Sequence, residues 1–239
     1  MEKKGLWIAS FDIGKKNFCW CIEECDEKAL SSIQNISKEK ENRFNKDGTA
    51  SLEMKNILEN IFRNGKIIDH QNTDLTKNCK NETSLEIQIF VNMYELLEKF
   101  MNLWSKCDFF VIEEQMHFGI KTNFMAVKLA QHCFSYFVFK FGKSKPVIDF
   151  PSYHKTQILG APKIEGKPYK SGLIRYKAME KPARKKWAVE KAIEILSFRK
   201  DFQTLNNLTS KKKKDDLADT FLQLQAFKYV YFVDKDHSQ

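Results

Sequence analysis

Residues 6–24 read LWIASFDIGKKNFCWCIEE, and the way this stretch is divided decides the fold. LWIASFDIG combines β-formers with small residues and ends at Gly14, which permits a turn that bulkier residues resist, so it predicts a strand. NFCWCIEE alternates Phe18, Trp20 and Ile22 with Cys19 and Cys21 and predicts the next strand. Asp12 therefore closes an apolar strand directly before a tight turn and two lysines, Lys15 and Lys16. A generic surface acid seldom occupies such a place. Taken alone, the motif also suits a phosphate loop.

Working outward, residues 25–82 are polar and rich in Asn, Lys and Asp, with one apolar patch, KIIDH, that reads as a third strand. Residues 84–104 place Leu85, Ile89, Met93, Leu96, Leu97, Phe100 and Leu103 at helical spacing. CDFFVIEEQ follows as a short buried strand with an acidic tip. KTNFMAVKLAQHCFSYFVFKFG predicts a helix stopped by Gly142 and closed by Pro146. KPVIDFPS is a fifth strand, with Ser152 placed to cap a helix through YHKTQILG. ARKKWAVEKAIEILSF and KKDDLADTFLQLQAFKY are helical. Strands first, then alternating helices and strands, predict an α/β mixed five-stranded sheet with helices on its faces. The expected organisation is one domain over residues 1–239, with a polar insertion at 25–82 and a basic segment at 161–186.

The composition, 42% hydrophobic and 13% aromatic, is that of a folded chain. No run approaches the roughly 18 apolar residues of a membrane span, and MEKKGLW carries no apolar signal stretch, so a soluble intracellular protein without membrane contacts is expected. The six cysteines lack a CxxC pair, which argues against a zinc site or a disulfide framework. The net charge of +9 is uneven: residues 140–214 hold 20 Lys+Arg against 6 Asp+Glu. Such clustering favours a polyanionic partner. In KIEGKPYKSGLIRYKAMEKPARKKW, Tyr169, Tyr176 and Trp187 are interleaved with cations and could stack on bases. Lys15, Lys16, Lys121, Lys170, Arg175, Lys177, Arg184, Lys185 and Lys186 are the expected nucleic-acid contacts.

Acids collect where a sheet can gather them. Asp12 ends the first strand, Glu113 and Glu114 end the strand after the long helix, and Asp215, Asp216 and Asp219 open the last helix. Strand ends and helix starts lying side by side form the crevice in which α/β sheets bind ligands. Asp216 and Asp219, three apart, share a helix face, and so do Asp215 and Asp219, four apart; spacing alone does not choose between them. Converging carboxylates repel unless cations sit among them. With no His/Cys set present, Mg²⁺ or Mn²⁺ is the natural partner. Two such ions about 4 Å apart could activate a water and stabilise the leaving oxygen during attack on a phosphodiester.

SFDIGKKNF, FFVIEEQ, KTNFMAVKLAQ and KKDDLADTFLQ together resemble, in order and spacing, the RuvC-like Holliday-junction resolvases of poxviruses, other large DNA viruses and fungal mitochondria. The resemblance covers roughly residues 6–18 and 108–227. It implies a ribonuclease-H-like fold and a Mg²⁺-dependent endodeoxyribonuclease acting as a homodimer on four-way DNA junctions. It implies metal and catalytic roles for Asp12, for Glu113 ahead of Glu114 with Gln115 as companion, and for Asp216 and Asp219 over Asp215. Lys155 lines up with an assisting lysine. The helix at 121–141, with Phe124, Phe134 and Phe137, resembles the one on which family members dimerise. A viral protein acting in the host cytoplasm or nucleus is implied, or a mitochondrial one, although no targeting segment is seen.

Three other classes share part of this pattern. A branched-DNA-binding recombination or packaging factor that does not cut fits the charge but leaves the gathered acids unexplained. A ribonuclease-H-type RNA:DNA nuclease is a near neighbour in sequence terms. A sugar-kinase-like or actin-like ATPase needs two similar domains and a second Asp-Gly turn, and this chain offers neither the length nor the repeat.

Overall fold

The computed structural model describes residues 5–36, 39–80, 84–115 and 123–235. Strands β1 (Leu6–Ile13), β2 (Phe18–Cys25) and β3 (Lys66–Thr73) run antiparallel to one another, and β4 (Phe109–Glu114) and β5 (Val147–Pro151) continue from β1 in parallel, in the order β3-β2-β1-β4-β5. This mixed five-stranded sheet flanked by helices is the ribonuclease-H-like arrangement. The turn after β1 is tight: Gly14 N–H donates to the Asn17 carbonyl at 3.0 Å, and a Cβ on Gly14 would crowd that oxygen at 3.3 Å. Asp12 faces Cys19 across the β1–β2 pair, one pair before the end of the ladder.

Strand alternation sorts the core into two layers. Trp7, Ala9, Phe11, Phe18, Trp20, Phe110 and Ile112 pack on one face. Helices α4 (Ile87–Lys99), α5 (Met101–Trp104) and α6 (Phe124–Phe141) cover it, with Met93, Trp104 and Phe137 buried among those rings. Ile8, Cys21, Val111 and Phe150 point to the other face. There they meet α3 (Leu52–Arg63), α8 (Lys181–Phe198), α9 (Phe202–Ser210) and above all α10 (Lys214–Lys228), which continues into a π-helical turn, Tyr229–Val233. α10 is buried without interruption from Leu217 onward except at Asp219. The short helices α1 (Glu27–Ser31), α2 (Lys40–Arg43) and α7 (Tyr153–Ile158) and a two-stranded ribbon, β6 (Ile164–Glu165) with β7 (Tyr176–Lys177), complete the chain.

Several expectations change in detail. The helix at 84–104 is two helices, α4 and α5, broken at Phe100. Residues 25–82, expected to be a polar insertion around one strand at KIIDH, supply that strand as β3 and also the amphipathic α3, whose Met54, Ile57, Leu58, Ile61 and Phe62 are buried. Ser152 takes the N-cap place of α7, but its side chain accepts no capping hydrogen bond. Phe137, read as part of a pairing face, is fully buried on Phe110 with ring centroids 4.1 Å apart. Phe124, by contrast, is 74% exposed. Among the described residues no helix is long and apolar enough to cross a membrane.

Candidate active site

Three elements bring the acids together. In β1, the alternation that buries Ile8 and Ser10 on the α10 face turns Asp12 to the same side. In β4, Val111 and Glu113 share that face, and Glu114, one residue on, turns away and is exposed. Phe11 pairs with Ile112 in parallel register, so Asp12 and Glu113 leave neighbouring strand ends. α10 lies across these ends. Gln223 bolts it there, its Nε2 donating to the carbonyls of both Phe11 and Val111 at 3.2 Å. One turn earlier on the same helix face stands Asp219.

A second fastening comes from β3. The buried His70 ring lies 3.0 Å from the Leu217 carbonyl through Nε2 and 3.4 Å from the Thr220 hydroxyl, while Asn207 donates to the His70 carbonyl at 2.9 Å. Burial holds the His70 pKa down to about 4, so the ring is neutral at physiological pH. Neither Gln223 nor His70 was indicated by the sequence. A glutamine inside the buried run LADTFLQLQAF was the signal available for the first.

Lys155, from α7, stands among the acids. It is 6% exposed, and its Nζ donates to Glu113 Oε2 at 2.9 Å and lies 3.3 Å from Asp219 Oδ1. Burial alone would lower the Lys155 pKa, but Glu113, Asp219 and Asp12 outweigh it and raise it above the ordinary lysine value. Asp12 is held well above the ordinary carboxylate range by burial first and then by Glu113, with Asp219 and Asp216 adding to the repulsion and Lys155 opposing it. Asp216 is raised by burial and by Asp215. Asp215 itself is turned to α8: Lys185 binds it, and this ion pair overcomes the cost of burial and lowers its pKa. Asp215 is thus neutralised by Lys185, while Lys155 serves Glu113, Asp219 and Asp12, and Asp216 feels Lys185 and Lys213 instead.

The donors facing this crevice are carboxylate oxygens, which suit a hard divalent cation. No three His, Cys, Asp or Glu side chains among the described residues stand close enough together to chelate an ion as placed. Asp12 and Asp216 are nevertheless both raised by burial and acidic neighbours despite the nearby lysines, an excess of negative charge that a cation would relieve. Donor type and charge therefore fit such an ion.

The expected nucleic-acid contacts fall in three places. Lys15 Nζ lies 3.4 Å from the Ser84 carbonyl and 3.7 Å from Met125 Sδ, beside the start of α6. Lys16 is exposed on the β1–β2 turn. Lys170, Arg175 and Lys177 are exposed on the β6–β7 ribbon, and Arg184 and Lys186 on the first turns of α8, where Lys185 is the half-buried partner of Asp215. Lys121 lies outside the described residues.

No protein-family model matches the chain. It is 34% identical to "Uncharacterized protein 170L" of Invertebrate iridescent virus 6 over 96% of its own length and 92% of the relative's. It is 30% identical to "Uncharacterized protein 97L" of Invertebrate iridescent virus 3, over 92% and 98% of the two chains. Among solved structures it is similar to the fowlpox virus resolvase crystallised with its substrate Holliday junction DNA, at a TM-score of 0.50 and 17% identity, over 94% of this chain and 99% of that one. It is similar also to the yeast mitochondrial Holliday junction resolvase, at a TM-score of 0.50 and 13% identity, over 97% and 81%. The chain belongs to the family of the iridescent virus proteins 170L and 97L, and its fold is that of the fowlpox virus and yeast mitochondrial Holliday junction resolvases.

Proposed function

We propose that the protein is a metal-dependent, structure-selective endodeoxyribonuclease that resolves four-way DNA junctions as a homodimer. The observation that carries this reading is the convergence of Asp12, Glu113, Asp216 and Asp219 on one crevice, with the buried Lys155 paired to Glu113 and Asp219. A protein that only bound DNA would gain nothing from it, since uncompensated carboxylates repel phosphate.

Asp12, Glu113, Asp216 and Asp219 would hold two Mg²⁺ or Mn²⁺ ions. Bound there, the ions supply a water activated at neutral pH and stabilisation of the leaving oxygen in an in-line displacement. The chain's own contributions are orientation and charge. Gln223 and His70 fix the acidic turn of α10 against the sheet, on the side to which Asp12 and Glu113 turn. Lys155 holds Glu113 and Asp219 in place and brings a positive charge to the crevice that the scissile phosphate must enter. Cations of the α8 start and the β6–β7 ribbon hold the flanking backbone. The exposed Phe124 and Phe139 of α6 support pairing of two copies, which a symmetric double cut requires.

Cleavage of an end-labelled four-way junction, set beside an RNA:DNA hybrid and a linear duplex of equal length, tests the proposal. Paired nicks placed symmetrically about the crossover are expected. Preferential cutting of the hybrid would instead indicate a ribonuclease-H-type enzyme, and metal-indifferent binding without cutting would indicate an architectural factor.

A further inference from the structure

Between α7 and α8 the chain forms a ribbon in which no residue from 164 to 178 is buried. It is nevertheless ordered by its own backbone. Ile164 and Glu165 pair with Lys177 and Tyr176, Gly166 N–H donates to the Arg175 carbonyl at 2.6 Å, and Tyr169 N–H donates to the Leu173 carbonyl at 2.9 Å. Gly172, at φ +80°, closes the tip by donating to the Tyr169 carbonyl at 2.9 Å. The base is fixed as well: Lys163 N–H donates to the Asp47 carbonyl at 2.6 Å. Gly160, at φ +72°, lets the chain pass so close to Ala50 that a Cβ would lie 2.7 Å from its nitrogen.

Both arms arise from helices that reach the acidic crevice, α7 through Lys155 to Glu113 and α8 through Lys185 to Asp215. At about 3.3 Å per residue, the tip can stand at most about 25 Å from this base. The shaft carries five cations against one acid over residues 163–178. The tip is apolar: Tyr169, Leu173 and Ile174 are 55%, 68% and 53% exposed, and the Arg175 guanidinium lies 5.9 Å from the centre of the Tyr169 ring. Apolar side chains gathered at the end of a basic ribbon call for a partner that offers phosphates along its flank and apolar faces at its end. Nucleic acid with accessible bases has both.

We infer that the β6–β7 ribbon is a branch-point probe. Its cations follow the backbone of a DNA arm beside the cut site, while Tyr169, Leu173 and Ile174 press against base pairs left open at the crossover. Apolar side chains inserted at base steps unstack them in just this way, and aromatic stacking adds affinity without sequence preference. The inference rests on the junction-cutting function proposed above and deepens it by assigning the recognition of the branch to one element.

The test uses a four-way junction carrying 2-aminopurine at the crossover, with the full-length protein in an Asp12→Asn background so that the DNA stays intact. Binding by the parent should raise 2-aminopurine fluorescence. The triple variant Tyr169→Ser, Leu173→Ser, Ile174→Ser should lose that rise, and its preference for junction over duplex should fall about tenfold. Lys170→Ala, Arg175→Ala, Lys177→Ala should weaken junction and duplex binding alike and lower the salt slope of log K by about 3. If the parent prefers the junction and the triple serine variant keeps both signal and preference, the ribbon inference alone falls. If the serine variant sediments as a monomer where the parent is a dimer, the tip contacts a second copy and the inference falls likewise. A parent with no preference for the junction would remove the functional reading together with it.

Discussion

Helix α10 carries a buried group of charges at each end, and the two are balanced in opposite ways. At its C-terminal end, Glu23 of β2 is fully buried with Arg199 Nη1 2.6 Å from Oε1 and Lys228 Nζ 3.1 Å from Oε2. Gln225 donates to Glu23 at 2.9 Å and accepts from Arg199 at 2.8 Å, while Lys228 also donates to the carbonyls of Ile61 and Asn64 at the end of α3. A Cβ on Gly65 would overlap the Glu23 carboxylate, so the space around it is filled. Burial alone would raise the Glu23 pKa, but Arg199 and Lys228 overcome this and hold it low. At the N-terminal end, Lys155 pairs with Glu113 and Asp219 and Lys185 with Asp215, and Asp12 and Asp216 are raised instead. One group sets two of the chain's own cations against a single acid. The other is short of positive charge, and that shortfall separates a site from a structural network.

Each arm of this contrast can be broken. Glu23→Gln leaves Arg199 and Lys228 buried without their anion, and a loss of about 4 kcal/mol of stability is expected; chemical denaturation measures it, and addition of Mg²⁺ should restore none of it. Lys155→Met should cost about 3 kcal/mol in EDTA, because Glu113 and Asp219 lose their partner. Here millimolar Mg²⁺ should recover part of the loss, since an ion that binds only the folded state stabilises it. Equal responses of the two variants to Mg²⁺ would erase the distinction.

The pH dependence has a definite sign for two groups. His70 is held down to about 4 from an ordinary value of 6.5, so its contribution is present above pH 6.5 and is lost as pH falls toward 4. The loss amounts to about 3 kcal/mol, and urea titrations between pH 7 and 4 should show it reduced in His70→Gln. Asp12, raised in the folded state, stabilises the fold only while protonated, and that contribution disappears as pH rises through its native value. At neutral pH in EDTA, Asp12→Asn should therefore raise Tm by a few degrees, equivalent to about 1 kcal/mol. With Mg²⁺ present the advantage should shrink or reverse.

The sequence made the acidic end of the contrast visible because each acid closes an element, where local pattern is strongest. Alternation within FFVIEE is enough to separate Glu113 from Glu114 once one face is known to be buried. The pairing of Asp215 with Lys185 was not legible, since 30 residues and a helix separate them. The same holds for Gln223 and His70, whose partners are backbone carbonyls on distant elements. α3 was hidden because its apolar residues are diluted by Glu, Lys and Asn in LEMKNILENIFR, although their spacing is helical. Phe137 misled because α6 has apolar residues on nearly every side, so periodicity did not tell its sheet face from its outer face.

If the undercompensated acids form a metal-dependent nuclease centre, the rate of four-way junction cleavage must depend on both the ion and Asp12. Wild type and Asp12→Asn are compared in Mg²⁺ and in EDTA, with folding of both verified by circular dichroism. Wild type should cut only with Mg²⁺, and the folded Asp12→Asn protein should be slower by about 1000-fold or more, the order expected when several kcal/mol of transition-state stabilisation are removed. Cleavage that persists in EDTA, or an Asp12→Asn protein that cuts at the wild-type rate, would contradict the account.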